Sequence, residues 1–488
     1  MNELSLRDLR GSGLSTPFVV TVVLAAAAIL WVAPKAAQGD YRDLLVAFII
    51  LQSLWIVLFW RMGVYFFMFY VVVEGFLINY FDGLSALNLA KDVFVALLFL
   101  SIAVVLILKR RAPFPRLGWV LPFAGFALYY CAEVFNPNLP TILVGLVGIR
   151  VTLFYCLLTP VAYWFFDSSE RVVHFFLFMV ALSIPVAAFG IVQYFKGPEW
   201  MIGISPGFAR AVFYAYWRDS LSGPGAFRTF STFVHTGAFS QYLALMMLVT
   251  GALWGLYRQQ LQRLVIGVVL LVQFFALLTT GGRASFLIFF ICVVLWWFFQ
   301  RGTMRLAPVL VLLPVFFYAA TLMLGSSFEN RFSTLLDADQ MKERNAPLVM
   351  GFASENVKED LTGLGAGYAT VAARHVGETP YNVATTDNGL AKIRHETGIP
   401  GLILYVIFLV SFGVTCARQA FHVPDARVRW FATPVAAFIV MNLVLVPLGT
   451  PFDVMPTNIY LWFFAGFLGR ATTLNPPEDF RYSQESLA

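Results

Sequence analysis

Arginine is the residue type through which this sequence could do chemistry, because several arginines fall where a membrane protein should have few. Arg228, Arg283 and Arg344 follow one another among long apolar runs, on the side that the loop charges predict to be external. External loops are normally depleted of Arg and Lys, and guanidinium groups bind phosphate in a planar, bidentate way. The pattern therefore predicts a site for a phosphorylated substrate at the external face.

A fourth arginine lies within an apolar run. Arg150 falls several residues deep in the predicted sixth span, where an unpaired cation costs roughly 2.5 to 3.5 kcal/mol. A carboxylate of the chain, Glu74 or Glu133, or the phosphate of a substrate would offset this cost. The sequence leaves both the salt bridge and the ligand role open for Arg150.

The elements that must position these residues are membrane spans. Hydrophobic residues make up 59% of the 488 positions and charged residues only 12%, which is too few charges to coat a soluble globule of this length. The net charge of +6 comes from basic residues beside apolar runs, so the positive-inside bias explains it without nucleic acid. The four cysteines fall in apolar runs, and no His/Cys spacing indicates zinc.

Apolar runs of roughly 17 to 25 residues, long enough to cross a bilayer, predict about fourteen spans. They lie at 16–34, 43–60, 64–81, 92–108, 118–135, 143–166, 172–195, 233–257, 264–280, 283–299, 306–325, 399–416, 428–449 and 454–468. Basic residues cluster in alternate loops, which predicts both termini in the cytoplasm. The predicted fold class is all-α, a polytopic transmembrane bundle forming a single integral membrane domain over 1–488.

Two predicted external (periplasmic) loops, 196–232 and 326–398, are too long for tight connections. Long ordered loops are commonly functional. Classical nucleotide-binding motifs are absent from the sequence. The acidic pair Asp337 and Asp339 imitates a metal–nucleotide motif, but its external position argues against nucleotide and the usual ligand pattern argues against metal. No metal or cofactor is predicted.

Four stretches in the second half of the chain share this external location. They are FRTFSTFVHTGAFSQYL, TTGGRASFLIFF, ERNAPLVMGFASENVKEDLTGLGAGY and TDNGLAKIRHETGIPGL. In this order, over roughly 225–405, they resemble motifs of the O-antigen ligase and polymerase superfamily, which includes the Wzy-type polysaccharide polymerases. Arg228, Arg283 and Arg344 match the family arginines, whereas Ser231 stands where the family has glycine.

The resemblance implies a GT-C-like glycosyltransferase of the cell inner membrane. Its donor and acceptor would be polyprenyl-diphosphate-linked glycans, and it would need neither metal nor cofactor. Arg228, Arg283 and Arg344, with Arg150 as a weaker fourth, would bind the diphosphate and stabilise the charge that grows on it as the glycosidic bond breaks. The glycines at 363–367 would cap a helix or let the backbone approach the substrate.

The attacking hydroxyl must lose a proton, so a nearby carboxylate or imidazole would act as general base. The family motif makes Asp387, at the position of a family histidine, the first candidate, with Glu396 and His395 next. Asp387 is equally well placed as a helix N-cap. Asn388 fits the motif as a substrate contact, and His235 is either a satisfied polar side chain or a second such contact.

The missing histidine favours a polymerase that joins lipid-linked repeat units of an O-antigen, capsule or exopolysaccharide at the periplasmic face. The nearest alternative is a ligase that transfers finished chains to lipid A core or another acceptor. A small-solute or anion transporter is an alternative of another class. Expected partners are the lipid-linked glycans and membrane lipid, with a chain-length regulator and a flippase as candidates and no nucleic acid.

Overall fold

A computed structural model describes residues 41–81, 85–108, 117–220, 227–281, 283–300, 361–370 and 388–474, together with Tyr318 and Val376. Regular structure within these residues is helical, without strands. The helices are α1 (Tyr41–Leu58), α2 (Trp60–Tyr80), α3 (Ser85–Leu108), α4 (Val120–Ala132), α5 (Ile142–Thr152), α6 (Leu158–Phe165), α7 (Ser169–Ile204), α8 (Phe208–Ser220), α9 (Thr236–Leu256), α10 (Gln260–Thr279), α11 (Arg283–Phe299), α12 (Gly389–Phe421), α13 (Ala426–Val444) and α14 (Thr457–Ala471). The predicted all-α class is confirmed.

Seven of the described helices are long and apolar enough to cross a membrane, and counting the bent pair Ile142–Thr152 and Phe154–Phe165 as one span gives up to eight. The count of fourteen is therefore not confirmed. The predicted run 16–34 and, apart from Tyr318, the run 306–325 lie outside the described residues, and the others coincide with helices. Some of these are short: α4 has 13 residues, about 20 Å of helix against a hydrocarbon core of about 30 Å.

Contacts divide the chain into two compact units, Met1–Val71 with Gly83–Pro113, and Val72–Asp82 with Phe114–Ala488. In the first unit, the described helices pack through aromatic rings. Phe94 of α3 lies edge-on to Tyr70 of α2, with centroids 5.2 Å apart. The Tyr70 hydroxyl donates to the Leu87 carbonyl at 2.8 Å. The described residues of the four family-like stretches belong to the second unit.

Helix α14 lies at the core of the second unit, where all but one of its residues are buried. The ring of Trp462 packs against Phe123, Phe408 and Phe412 from α4 and α12. On its other side, α14 approaches α6 so closely that a Cβ on Gly466 would lie 2.1 Å from the Thr159 carbonyl oxygen. Aromatic packing and a glycine contact thus fix α14 between its neighbours.

Two long helices break at glycines followed by proline. Gly197 in α7 has φ 78° and is followed by Pro198. Gly398 in α12 has φ 65°, and Pro400 lies two residues later. A left-handed glycine and a proline without an N–H interrupt the helical hydrogen bonds. Residues after Gly197 and before Gly398 therefore take a different direction from the main part of each helix.

The segment predicted as the first long loop, 196–232, contains helical structure. Helix α7 continues past its break to Ile204, and α8 follows from Phe208 to Ser220. The buried face of α8 carries Phe208, Ala211, Val212 and Ala215, which form one cluster with Met201, Phe227 and Phe230. Apolar positions at helical spacing account for α8.

One end of the second unit, here called the basic end, joins the start of α7, the end of α9, the start of α13 and the end of α14. Ser169 donates to Asp425 at 2.5 Å, and Arg470 donates to the Phe166 carbonyl at 3.1 Å. A Cβ on Gly255 would lie 2.4 Å from the ring of Trp430. Arginines described at this end are Arg171, Arg258, Arg263, Arg418, Arg427, Arg429 and Arg470.

The opposite end, here called the motif end, carries 227–235, 279–281 with the start of α11 at Arg283, 361–370 and 388–398. Its helix ends are connected by side-chain and backbone hydrogen bonds. Thr457, the first residue of α14, donates to Gln241 in the second turn of α9 at 2.6 Å. The backbone N–H of Gly389 donates to the Gly449 carbonyl beyond α13 at 3.1 Å. Since helices alternate in direction, all four family-like stretches contribute described residues to this one end.

Candidate functional site

The first cluster is built on 227–235, the segment before α9. Gln193 of α7 accepts hydrogen bonds at Oε1 from the backbone N–H groups of Phe230 and Ser231, at 2.9 and 2.8 Å. The Ser231 hydroxyl donates to the Val186 carbonyl at 2.7 Å. Ser231 has φ 49°, a conformation that costs a residue other than glycine about 1 to 2 kcal/mol. The buried hydrogen bonds hold the segment in this shape.

Arg228 lies beside the end of α10, where its Nε donates to the Thr280 carbonyl at 3.0 Å. The next residue, Thr229, pairs with Thr279 through its backbone N–H at 3.3 Å and its hydroxyl at 2.8 Å. Arg283 begins α11 three residues after Thr280; its side chain lies outside the described part. The backbone thus brings two predicted arginines to one place. We call Arg228, Thr229, Thr279, Thr280 and Arg283 the arginine corner.

The second cluster surrounds the carboxylate of Glu396, which is fully buried. Its Oε2 accepts from the Tyr130 hydroxyl at 2.6 Å. Its Oε1 accepts from the Thr370 hydroxyl at 3.0 Å and from the backbone N–H of Ala369 at 3.2 Å. Glu396, Tyr130 and 361–370 are here called the carboxylate cluster. Because donors of the protein hold both carboxylate oxygens, Glu396 joins α4 and α12 to this segment.

Tyr130, the partner of Glu396, also connects several segments through its hydroxyl group. Its hydroxyl donates to Glu396 and accepts from the Thr152 hydroxyl at 3.3 Å and the Gly367 N–H at 3.1 Å. A phenol has one donor and two acceptor positions, so these contacts use all three. Tyr130 therefore binds α5, α12 and the glycine turn together.

The glycines of 361–370 allow protein backbones to approach one another. Gly363 has φ 69°, and a Cβ there would lie 2.6 Å from the Glu396 carbonyl oxygen. Gly367 has φ 77°, and a Cβ would lie 2.3 Å from the Val144 carbonyl oxygen. Gly365 N donates to the Glu396 carbonyl at 2.9 Å. In the described residues, these glycines pack the turn against α5 and α12.

A buried ion pair lies beside this cluster. Lys392, one helical turn before Glu396, is 4% exposed, and its Nζ lies 2.7 Å from each carboxylate oxygen of Asp453. Asp453 belongs to the connection between α13 and α14, and 24% of its side chain is exposed. A buried lysine needs such a partner. The symmetric contact neutralises Lys392 and fixes the orientation of the Asp453 carboxylate.

The remaining predicted residues fall at the motif end or outside the described residues. Asn388 is the N-cap of α12, with Oδ1 accepting from the N–H groups of Leu390 and Ala391 at 2.9 and 3.1 Å. The capping role proposed for Asp387 is thus filled by Asn388. Asp387 itself, together with Arg344 and the pair at 337 and 339, lies outside the described residues.

Arg150, His235 and His395 take three different positions. Arg150 is half-buried in the last turn of α5, next to Val151, whose carbonyl accepts from Asn458 at 3.0 Å. His235 is exposed and caps α9, with Nδ1 accepting from the Ala238 N–H at 3.2 Å. His395 is half-buried in the same turn as Glu396. No group of three or more His, Cys, Asp or Glu among the described residues is placed to hold a metal ion.

Sequence reasoning missed Tyr130, Lys392 and Asp453. Tyr130 was hidden in the apolar run 118–135, and Asp453 directly precedes another run. Lys392 did carry a signal, because a lysine four residues before a glutamate shares its helical face. Its partner Asp453 lies 61 residues away, and no local pattern in the sequence links the two.

No known protein-family model matches the chain, and no curated protein is significantly similar to it in sequence. The function must therefore be inferred from the residues themselves and from the contacts that they make. The arginine corner and the carboxylate cluster are the two arrangements that carry such an inference.

Proposed function

We propose that the protein is a metal-independent glycosyltransferase that polymerises polyprenyl-diphosphate-linked oligosaccharide repeat units into a surface polysaccharide. The supporting observation is that segments far apart in sequence, each resembling a motif of the O-antigen ligase and polymerase superfamily, contribute described residues to one end of the second unit. The first two meet in the arginine corner. The last two meet in the carboxylate cluster.

The arginine corner suits a diphosphate leaving group. Its Arg228 guanidinium is oriented by a carbonyl at the end of α10, and Arg283 begins the next helix. Fixed cations stabilise the negative charge that develops on the leaving oxygens without having to reorganise during the reaction. Guanidinium also matches phosphate geometry. Such a site can promote glycosyl transfer without a metal ion.

The backbone at Ser231 supports the family resemblance independently of charge. In the family this position is glycine, and here it has a left-handed φ of 49°, which glycine adopts without strain. Serine occupies the position with two buried hydrogen bonds, one at its N–H and one at its hydroxyl. The conformation is thus the one that a glycine motif would require, although the residue differs.

The charges of the two ends support an external site. Arginines gather at the basic end, and the positive-inside bias assigns such an end to the cytoplasm. The motif end would then face the periplasm, where lipid-linked repeat units are presented. Both termini in the cytoplasm and an inner-membrane location remain part of this proposal.

The three base candidates differ in their surroundings. Both oxygens of Glu396 already accept hydrogen bonds from the protein, so we assign it to positioning 361–370 and not to proton transfer. Asp387 directly precedes the N-cap of α12, and His395 is half-buried beside Glu396. We propose Asp387 as general base, with His395 as the second candidate.

A ligase would use the same arrangement, so the experiment must separate the two activities. A strain that lacks the protein should accumulate lipid-linked single repeat units, visible by gel electrophoresis of extracted glycolipids. The purified wild-type protein should lengthen those units. Accumulation of full-length lipid-linked chains would instead identify a ligase.

A transporter would predict different results and a different charge pattern. The buried charged residues in the described part, Glu74, Lys91, Lys392, Glu396 and Asp425, lie within about two turns of a helix end, not at mid-span. Transporter sites typically form near the bilayer midplane. Normal glycolipids in the deletion strain, together with lost uptake of a labelled solute, would reject the polymerase proposal.

A further inference from the structure

We propose that a recess beside the Lys392–Asp453 ion pair binds one hydroxyl group at the edge of a sugar ring. The inference rests on the proposed function in so far as the sugar belongs to the lipid-linked glycan. It adds a subsite for an uncharged part of the substrate, separate from the arginine corner. Lys392 and Asp453 lie outside the residues to which the sequence assigned a role.

The recess lies at the motif end, between the first turn of α12 and the connection that leads into α14. The space open to a water-sized group is about 10 Å³, which is room for about one water molecule or hydroxyl group. Its polar lining residues include Lys392, Asp453, Thr152 and Thr450, and its aromatic lining residues are Tyr405 and Phe452. Apolar and aromatic surface with a few fixed polar groups is the usual composition of a small-molecule site. The space suits a single hydroxyl group of a sugar, with the ring itself lying outside the recess.

The ion pair determines which ligand chemistry fits. Both oxygens of Asp453 lie 2.7 Å from the Lys392 ammonium, so the positive charge is already neutralised inside the protein. A phosphate would have to displace Asp453 or lie beside its negative charge. A hydroxyl group has neither cost, because a carboxylate has about four acceptor positions and the lysine contact uses two.

Asp453, the hydrogen-bond acceptor, is the more exposed member of the ion pair and so lies nearer the opening of the recess. The Asp453 side chain is 24% exposed, whereas that of Lys392 is 5% exposed. A ligand entering the recess therefore meets a carboxylate held in one orientation by a buried cation. Such a preorganised acceptor binds a hydroxyl group with little loss of side-chain freedom.

The recess is also connected to the carboxylate cluster. Thr152, one of its lining residues, donates to the Tyr130 hydroxyl that holds Glu396. Gly389, at the recess wall, directly follows the N-cap Asn388. A sugar bound here would lie next to the start of α12, which Asp387 precedes. This position fits the sugar that supplies the attacking hydroxyl.

The test is direct binding, so that it does not require turnover. The probes are the free oligosaccharide repeat unit, released from the host's own surface polysaccharide, and inorganic pyrophosphate. Saturation-transfer NMR on the full chain in detergent micelles should detect the oligosaccharide with wild type. The double variant Lys392→Gln, Asp453→Asn should weaken binding about tenfold or more. Pyrophosphate should not displace the sugar.

Two further variants keep the test decisive. Thr450→Leu fills the recess and leaves the ion pair intact, so it should also reduce binding even if the double variant fails to fold. Glu199→Gln removes a charge from an exposed position at the same end and should bind like wild type. Oligosaccharide binding that survives Thr450→Leu, or that pyrophosphate abolishes, would overturn the assignment.

The two proposals can fail separately. A protein that binds the oligosaccharide through the recess but never lengthens lipid-linked units would retain the subsite and reject the polymerase. If the Thr450→Leu variant lengthens those units as well as wild type does and binds the oligosaccharide with unchanged affinity, the polymerase proposal stands and the subsite is rejected.

Discussion

At both ends of the second unit, arginine side chains donate hydrogen bonds to backbone carbonyl groups at helix ends. The two ends differ in how far apart in sequence the arginine and the carbonyl lie. At the basic end, three arginines near the start of a helix donate to a carbonyl six residues earlier, at the end of the preceding helix. The contacts are Arg171 to Phe165 at 3.3 Å, Arg263 to Tyr257 at 2.9 Å, and Arg429 to Val423 at 3.1 and 2.9 Å. Each closes a tight turn between consecutive helices.

At the motif end, Arg228 also donates to a carbonyl at a helix end, but that carbonyl belongs to Thr280, 52 residues later. The contact joins two family-like stretches and not two neighbouring helices. The bond between Tyr130 and Glu396 likewise joins distant parts of the chain, 266 residues apart. Contacts at this end assemble a site from distant segments.

The comparison separates two reasons for an arginine to be present. A guanidinium near a helix C-terminus satisfies carbonyl groups that lack partners and interacts favourably with the helix dipole. This reason is sufficient for the arginines of the tight turns. It does not explain why Arg228 lies beside the buried residues Thr229 and Phe230 and the left-handed Ser231, so we assign the substrate role there.

The largest expected effect is on activity, and it tests this separation directly. Arg228→Ala should lower the rate of chain lengthening by about 100-fold or more, the usual cost of removing a group that stabilises transition-state charge. Arg263→Ala, which removes the same group from a tight turn, should change the rate less than about twofold. The measurement is lengthening of lipid-linked repeat units per folded protein. If both variants lose the same fraction of the lengthening rate, then Arg228 has no role in catalysis that the tight-turn arginines lack.

The second prediction concerns stability and uses two glycines with nearly the same φ. Gly367→Ala, at φ 77°, places a Cβ 2.3 Å from the Val144 carbonyl oxygen, whereas Gly197→Ala, at φ 78°, meets nothing within 4 Å. Backbone strain alone costs about 1 to 2 kcal/mol, and overpacking adds about 1 to 3 kcal/mol.

Gly367→Ala should therefore lower the thermal midpoint in detergent clearly more than Gly197→Ala. The first change disturbs a contact between distant segments, and the second only a bend within one helix. Similar midpoints for both variants would mean that 361–370 is not held against α5 as described.

The helices were largely predictable from the sequence, because apolar runs determine them locally. The run 283–299 agrees with α11 at both ends. The residues after 196 were predicted as a loop because polar residues and glycine interrupt the apolar run there. The helical spacing of Phe208, Ala211, Val212 and Ala215 was the available signal for α8.

The site was less predictable, for a physical reason. Motif order indicated Arg228, Arg283 and Glu396, but the joining contacts of Glu396 depend on Tyr130 and Thr370, which belong to other segments. Pairings over such distances are decided by how whole helices pack. Hydrophobic periodicity describes one helix at a time and contains no information about its partners.

The smallest expected effect is at the basic end. Arg429→Ala removes two hydrogen bonds to the Val423 carbonyl in the turn between α12 and α13. We expect a loss of about 1 kcal/mol in stability, seen as a small decrease in thermal midpoint, with activity per folded protein unchanged. Arg418→Ala, at an exposed position of the same end, is the matched control for loss of charge. If both variants lower the midpoint equally, the net charge of the basic end matters and the turn contact does not. If Arg429→Ala instead abolishes chain lengthening in fully folded protein, then the basic end takes part in catalysis and the proposed division between the two ends is wrong.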